Sequence, residues 1–330
     1  MREVAELAGV AMSSVSRVLS DHPDASPEMR ERVLAAVAEL GYEPDLLAQS
    51  LRRRATLTVG FVARDISNPL FAEIALGAET TLRAAGYSML LTNSEGQRRL
   101  DAVHLRLFAR RRVDGLLLSL VAEDDEETLE ALRHLETPAV VIDRDLPLEL
   151  PVARLLFDHR TGMHEAVAHL LELGHRRIAL IAGAPLRPTT ERAAALAEAF
   201  QERGLPVTYE VLEGNFSAEH GERAMRELLA REDAPTAVIV GGNELLAGAL
   251  PAIADAGVRL GSELSLVSCD DVTLTRAYRP AISVVARDNR RMGQVAAEVL
   301  LQLIAGERDG VQETVVPTVY RPRASCGPAR

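Results

Sequence analysis

The N-terminal stretch VAELAGVAMSSVSRVL, residues 4–19, has the pattern of two short helices joined at a glycine. Apolar residues recur at helical spacing in both halves: Val4, Leu7 and Ala8, then Val15, Val18 and Leu19. Gly9 lies between the halves and ends the first helix, because glycine adopts a positive φ without strain. The stretch therefore predicts a helix–turn–helix pair.

The other face of the second predicted helix carries Met12, Ser13, Ser16 and Arg17. A short helix with small hydroxyl side chains and one outward arginine fits the major groove of DNA. An ordinary surface helix has a similar composition, because serine and arginine are common on solvated faces. Of the two interpretations, the pattern favours DNA binding.

The charge balance limits how this helix could bind DNA. The 330-residue chain has a net charge of −11, and all 37 of its basic residues are arginine. The first 57 residues contain seven arginines and nine acidic residues. DNA binding must therefore depend on where the charges lie, with Arg17 on the second helix and an arginine cluster at 52–54.

Length and composition exclude several classes of protein. A chain of 330 residues with 47% hydrophobic content predicts two or three globular domains. Two cysteines are too few for a disulfide framework. No apolar run reaches membrane-spanning length, and the N-terminus lacks the layout of a secretion signal. We therefore expect a cytoplasmic protein with no membrane partner.

A third helix follows the first two. Ser26 and Pro27 form a strong helix start, with a hydroxyl N-cap and proline at the first helical position. Gly41 is the expected C-cap. The predicted buried stripe consists of Val33, Leu34, Val37 and Leu40. These three helices predict a mini-domain near the lower size limit for stable folding.

A fourth short helix is predicted from Leu46 to about Arg52, capped by Asp45. Its apolar residues have little to pack against within this segment, which suggests a linker that becomes ordered on pairing. Leu51 is a candidate wedge for a DNA minor groove. The alternative is a leucine that docks on the next domain.

From Thr58 onward, predicted strands alternate with amphipathic helices. The strands are 58–63, 88–92, 115–120, 139–142, 178–182, 207–212, 237–240 and 264–268. The helices are 70–85, 98–111, 126–135, 160–173, 189–203, 217–231 and 244–256. Such alternation indicates parallel sheets with helices on both faces, here as two α/β lobes. In such sheets ligands bind beyond the carboxyl ends of the strands, so we expect an interlobe cleft.

Polar residues cluster directly after these strands, at 64–69, 143–144, 157–158, 189–192, 241–244 and 269–271. Strand-end loops are polar in most proteins, which is the alternative explanation. These loops, however, combine Asn, Asp and Arg, the groups that hydrogen-bond a polyol or a nucleoside. The layout favours a cleft for a small molecule.

With these residues in view, the chain resembles the lactose-repressor/galactose-repressor (LacI/GalR) family of bacterial transcription regulators over essentially its whole length. The motifs, in order, are VAELAGV at 4–10, VSRVL at 15–19, GYEP at 41–44, NPLF at 68–71, VDG at 113–115, IDR at 142–144, LGH at 173–175 and CDD at 269–271. Each motif alone is weak, but the ordered set is specific.

The resemblance implies an α/β protein with a small all-α helix-turn-helix headpiece and two periplasmic-binding-protein-like, Rossmann-like lobes. The expected divisions are 1–44 for the headpiece, 45–57 for a hinge helix and linker, and 58–330 for effector binding and dimerisation. The N-lobe would contain about 58–157 and 287–316, and the C-lobe about 158–286 and 317–330.

The resemblance also assigns roles to matching positions. Those expected to contact DNA are Met12, Ser13, Ser16, Arg17, Ala48 and Leu51, with Leu51 as the minor-groove wedge. Those expected to line the effector cleft are Phe71, Asp158, Arg192, Phe216, Asn243 and Asp270. Arg192 and Asp270 would anchor ligand hydroxyls.

Three departures from the family pattern stand out. The chain begins where the family's first helix is already under way, so either the start lies upstream or this helix frays. Asp45 stands where Asn is usual, and Asn243-Glu244 replaces the usual Asn-Asp. The last substitution bears on the class of effector.

The implied function is a homodimeric repressor of a palindromic operator, controlled by a small-molecule effector, with a carbohydrate as the first candidate. The alternatives are a nucleoside or purine-like ligand, or a protein corepressor. An enzyme is the remote alternative, since HExxH, GxxxxGK[ST] and GxSxG motifs are absent from the sequence. We expect no cofactor and no metal site.

Overall fold

The computed structural model describes residues 1–19, 23–42, 55–307 and 313–330. They form two compact units, Met1–Leu57 and Thr58–Arg330. The first unit is all-α in its described residues, and the second alternates strands with helices. The fold class predicted from the sequence is therefore present.

The N-terminal unit contains α1 (Arg2–Ala8), α2 (Met12–Leu19) and α3 (Pro27–Leu40). Gly9 ends α1 in the left-handed conformation, with φ 61°. The Ser26 side chain caps α3 by accepting a hydrogen bond from the Met29 amide, and Gly41 ends α3 with φ 56°. All three predicted helix boundary signals act as expected.

Small residues fill the core of this unit: Val4, Ala5, Ala8, Val15, Val18, Ala25, Val33 and Ala36. Two leucines predicted to be buried are instead exposed: Leu34 has 49% and Leu40 has 43% of its surface accessible to solvent. Three short helices enclose too little volume for every apolar residue of their stripes. The prediction that these leucines form the core is therefore wrong.

The predicted fourth helix at 46–52 lies outside the described residues, as do Ala48 and Leu51. Their proposed roles in a hinge stay predictions.

The second unit begins with an N-lobe. Its elements are β1 (Thr58–Ala63), α4 (Pro69–Ala84), β2 (Ser88–Asn93), α5 (Arg98–Arg111), β3 (Gly115–Leu118), α6 (Glu126–Arg133), β4 (Ala139–Ile142) and β5 (Ala153–Asp158). The C-lobe follows with α7 (His159–Glu172), β6 (Ile178–Ile181), α8 (Arg187–Glu202), β7 (Tyr209–Leu212), α9 (Ala218–Leu229), β8 (Ala237–Val240), α10 (Asn243–Asp255), β9 (Ser265–Ser268), α11 (Thr273–Ala277) and β10 (Ser283–Arg287). The chain ends with α12 (Asn289–Ile304) and β11 (Glu313–Arg321).

The predicted strands and helices of this unit are all present, with ends shifted by at most two residues. The strands of the described chain run in the order β2-β1-β3-β4-β5-β11-β10-β9-β8-β6-β7. Neighbouring strands are parallel except β10 and β11, which are antiparallel. Parallel order aligns the carboxyl ends of the strands, so the loops that follow them gather at one edge of each lobe.

The chain passes between the lobes at three places. It leaves the N-lobe after β5, and it returns after β10 to form α12, which packs on α4. It passes again within β11, whose residues 313–317 pair with β5 and whose residues 318–321 pair with β10. The sequence pattern assigned no element to 283–321.

Glycines allow α4 and α12 to approach closely. A Cβ atom built on Gly77 would lie 2.1 Å from the carbonyl oxygen of Arg290. A Cβ atom built on Gly293 would lie 1.9 Å from the carbonyl oxygen of Ile74. Neither contact can be relieved by a side-chain rotation, because backbone atoms are involved. The packing of the two helices therefore requires glycine at both positions.

We expect Gly293→Ala to lower the free energy of unfolding of the second unit by about 1–3 kcal/mol, the usual cost of overpacking a core. Denaturant unfolding followed by circular dichroism measures this change. Gln302→Ala is the control, since Gln302 lies on the same helix and is exposed. Equal stability of the two variants would contradict the close contact.

Candidate functional site

A cleft lies between the two lobes of the second unit, and its empty space, part of which is open to solvent, is about 630 Å³. Its lining includes five of the six residues predicted for the effector site: Phe71, Arg192, Phe216, Asn243 and Asp270. It also includes residues that the sequence did not assign to the site: Arg64, Asn68, Ser119, Asp143, Arg144, Glu244, Arg287 and Asn289.

Asp158 is the sixth predicted residue, and it does not line this cleft. Its carboxylate caps α7 by accepting hydrogen bonds from the amides of Arg160 and Thr161 at 3.1 and 3.0 Å. The Thr161 hydroxyl donates to the same carboxylate at 2.6 Å. Asp158 lies at a strand end, which suggested a ligand contact, but its side chain caps the helix that follows.

Arg192 reaches the cleft from α8 with 3% of its surface exposed. Its Nη1 donates to the carbonyl oxygen of Gly241 at 2.7 Å, and its Nη2 lies 3.4 Å from His159 Nδ1. Its Nε has no hydrogen-bond partner among the described residues. A buried N–H without a partner costs about 1–3 kcal/mol, so this group favours an acceptor in the cleft.

Asp270 follows β9 and is fully buried. Its Oδ1 accepts hydrogen bonds from Nε and Nη2 of Arg287 at 2.9 and 2.5 Å, and its Oδ2 accepts from the Asn243 amide at 3.1 Å. Both oxygens of this predicted anchor therefore already have protein partners. Asp270 orients Arg287 and the first turn of α10.

Asp143 follows β4 in the left-handed region, with φ 56°. This conformation is uncommon for residues other than glycine and is retained only where surrounding contacts enforce it. The carboxylate accepts a hydrogen bond from the Phe157 amide at 3.2 Å and lies 3.7 Å from Arg287 Nη1. Burial alone would raise the pKa of Asp143, but His159 and Arg287 outweigh it and hold that pKa well below its usual range.

Arg287 therefore lies between two buried carboxylates, one from each lobe. Burial alone would lower the pKa of Arg287, but Asp270 and Asp143 outweigh burial and raise it. Its guanidinium also lies over the Phe157 ring, 5.2 Å from the ring centroid.

The lobes also meet at two further pairs of residues that line the cleft. The side-chain amides of Asn68 and Asn243 exchange two hydrogen bonds, of 3.3 and 3.1 Å, across the gap. Arg64 of the N-lobe lies over the Phe216 ring of the C-lobe at 5.1 Å, and burial lowers its pKa to about 10. Burial raises the pKa of Glu244, and the positive charge of Arg64 offsets part of this rise. These contacts hold the cleft closed.

In the N-terminal unit, the four predicted base-reading and phosphate-contacting residues of α2 lie on its outer side. Met12, Ser13 and Arg17 are exposed and Ser16 is half-buried, while Val15 and Val18 face the core. Arg32 supports the turn before α2, since its Nη2 donates to the carbonyl oxygens of Gly9, at 3.0 Å, and of Ala8. The turn and the polar face thus have the arrangement that the sequence predicts.

Sequence reasoning noted Arg64, Asn68, Asp143, Arg144 and Glu244 as strand-end residues without assigning them to the site. It missed Arg287 and Asn289, because residues 283–287 were not recognised as a strand. Arg287 is the last residue of β10, so the same strand-end rule would have found it.

Among the described residues, no group of three or more His, Cys, Asp or Glu side chains is placed to hold a metal ion. No helix in the described ranges is long and apolar enough to span a bilayer.

Two family descriptions match the chain. Residues 1–45 match the bacterial regulatory proteins of the lacI family, and residues 167–326 match a periplasmic binding protein-like domain. Among known proteins, the HTH-type transcriptional repressor PurR of Erwinia tasmaniensis is 33% identical over 335 residues, covering 100% of this chain and 98% of that protein. PurR of Haemophilus influenzae (strain PittEE) is 32% identical over 318 residues, covering 95% and 93%.

Solved structures give the same picture. The Lac repressor dimer bound to operator and the anti-inducer ONPF superimposes with a TM-score of 0.87 at 28% identity, covering 98% of this chain and 97% of that chain. The complex of the transcriptional regulator CelR with cellobiose gives a TM-score of 0.73 at 31% identity, covering 98% of both chains.

We expect Arg287→Met to destabilise the second unit by about 3–5 kcal/mol, because it leaves Asp270 and Asp143 buried without their shared cation. Denaturant unfolding measures the loss. Arg98→Met is the matched control, since Arg98 pairs with Asp124 on the surface and both side chains are largely exposed. Similar losses in the two variants would show that the buried pair contributes no more than a surface pair.

Proposed function

The chain belongs to the lacI family of bacterial regulatory proteins, and from this premise we propose that its interlobe cleft binds a small-molecule effector that changes operator affinity. Like its relatives, the chain is a DNA-binding transcriptional repressor, and it is not an enzyme. Effector control in such switches amounts to about 1–3 kcal/mol of coupling between the two sites.

One observation carries the effector proposal. Two buried polar atoms of the cleft lining, the donor Arg192 Nε and the acceptor Asn289 Oδ1, lack a hydrogen-bond partner among the described residues. A ligand that both accepts and donates would satisfy both atoms and recover their desolvation cost. The cleft is also bounded by the apolar rings of Phe71 and Phe216.

We propose a carbohydrate as the first candidate effector. Each sugar hydroxyl can donate and accept a hydrogen bond, which matches an unpaired N–H and an unpaired oxygen in one cleft. The apolar face of a sugar ring would lie against an aromatic wall. Asn243 would contribute from the cleft lining, and Asp270, whose oxygens both have protein partners, would act by orienting Arg287.

A nucleoside or purine-like ligand is the second candidate, and the similarity to repressors named PurR favours it. Its base would also use an aromatic wall together with the Arg192 donor. A protein corepressor is the third candidate and would leave the cleft empty.

We propose that α2 reads the operator through Met12, Ser13 and Arg17, with Ser16 at a phosphate. Arg17 would donate to guanine, and Met12 would contact a thymine methyl group. Leu51, with Ala48 packed beside it, would open the minor groove between paired hinge helices. The likeness to the operator-bound Lac repressor dimer supports a homodimer on a palindromic site, acting in the cytoplasm.

We expect Arg17→Ala to weaken specific binding about 5- to 150-fold, since one arginine–guanine contact contributes about 1–3 kcal/mol. The measurement is fluorescence anisotropy on a duplex that the wild-type protein selects from a random pool. Arg2→Ala is the control, because Arg2 lies on α1 in an exposed pair with Glu6. If Arg17→Ala binds the selected duplex as tightly as the control, α2 does not read the operator through Arg17.

A thermal-shift screen of sugars, nucleosides and purine bases tests the effector. A ligand at one hundred times its Kd stabilises the folded state by about 2.7 kcal/mol, so any compound that binds the cleft raises the melting temperature, whatever its chemical class. We expect Arg192→Met to lose the shift that the wild-type protein shows, whereas Arg106→Met, an exposed arginine paired with Glu127, retains it. A screen with no hit, or a shift that survives Arg192→Met, would argue against this proposal.

A further inference from the structure

His159 occupies an unusual position in the second unit. It is the first residue of α7, directly after β5, where the chain first passes from the N-lobe to the C-lobe. Its surface is 1% exposed. Its Nε2 lies 2.9 and 3.0 Å from the two carboxylate oxygens of Asp143, and its Nδ1 lies 3.4 Å from Arg192 Nη2. One imidazole therefore contacts a carboxylate of the N-lobe and a guanidinium of the C-lobe.

The two neighbours determine which ring nitrogen carries the proton. A guanidinium has only donors, so the nitrogen that faces Arg192 must accept. An ionised carboxylate has only acceptors, so the nitrogen that faces Asp143 must donate. Both hydrogen bonds form only with the neutral ring protonated at Nε2. A doubly protonated ring would direct an N–H at the guanidinium and place two positive charges side by side.

We propose that His159, as the neutral Nε2–H imidazole, is a positioning residue that joins the two lobes and fixes the orientation of Arg192 in the cleft. The part of this inference that concerns ligand contact by Arg192 rests on the proposed function. The joining of the lobes does not, because it depends only on the contacts with Asp143 and Arg192.

Five charged groups around the ring influence whether it is protonated. Asp143 faces it from the end of β4, Arg192 from α8 and Arg287 from the end of β10. Asp158, which precedes it, and Glu191 of α8 interact with it at longer range. Burial, followed by Arg192, lowers the pKa of His159 to about 4, although Asp143 acts to raise it.

Closure of the cleft is thereby linked to pH. In an open cleft, with Arg192 drawn away and water admitted while Asp143 stays beside the ring, the pKa of His159 would return to about 6.5 or above. Between those two values the open form binds the extra proton, so acidification favours opening and a rise in pH favours closure. From pH 7.5 to pH 5.0 this linkage shifts the equilibrium at least about tenfold toward the open form.

The test uses the full chain without any effector, labelled with ¹⁵N at its eight histidines. Imidazole ¹H–¹⁵N correlation spectra report the tautomer and the titration of each ring, and the signal lost in His159→Gln identifies His159. We expect the Nε2–H tautomer, with no protonation until well below pH 5. An Nδ1–H tautomer, or titration near pH 6.5, would overturn the proposal.

The second measurement is the distance between fluorescent labels on the two lobes at pH 7.5 and 5.0. We expect the wild-type protein and the control His134→Gln to open on acidification, since His134 is exposed and pairs only with Glu130 in the described chain. His159→Gln, which keeps a donor for Asp143 but does not titrate, should show no such opening. An equal response in all three proteins would assign the pH dependence elsewhere. Because neither measurement needs a ligand, a failed effector screen leaves this test intact.

Discussion

The architecture of the cleft depends on two ion pairs, in which the guanidinium of Arg287 lies between two buried carboxylates. Asp270 belongs to the C-lobe and Asp143 to the N-lobe, and Arg287 ends the strand that leads from one lobe to the other. A buried charge is tolerated only when it is paired and hydrogen-bonded, so these three groups must stay together. Their arrangement fixes the floor of the cleft at the place where the lobes are connected.

Because the carboxylate of Asp270 is already paired, a ligand meets Arg192 but not the second anchor that the sequence suggests. Two buried side-chain atoms of the cleft-lining residues have no hydrogen-bond partner in the described chain: the donor Arg192 Nε and the acceptor Asn289 Oδ1. This favours a ligand rich in hydroxyl or amide groups. The reciprocal amide hydrogen bonds between Asn68 and Asn243 join the two lobes across the cleft.

Particular residues show how far sequence reasoning reaches. The strand-end pattern noted Arg192, Asn243 and Asp270 among the polar residues beyond the strands, because parallel strands bring their following loops to one edge. The family resemblance then assigned these three residues to the cleft, which they line. The strand-end pattern likewise suggested Asp158, but a residue between a strand and a helix can equally cap the helix. In the N-terminal unit, periodicity identified the helices but overstated the core, since Leu34 and Leu40 lie on the apolar stripe and remain exposed.

The sequence by itself determined the order of most helices and strands as far as β9, the helix caps at Gly9, Ser26 and Gly41, and the division into an all-α unit and an α/β unit. These features follow from local propensity and periodicity, which a few neighbouring residues specify. Only the tertiary structure decided which buried charges pair. Asp143 and Arg287 are separated by most of the C-lobe along the chain. Nothing local distinguishes an aspartate that binds a ligand from one that holds an arginine, because the difference is made by the groups that the fold brings around it.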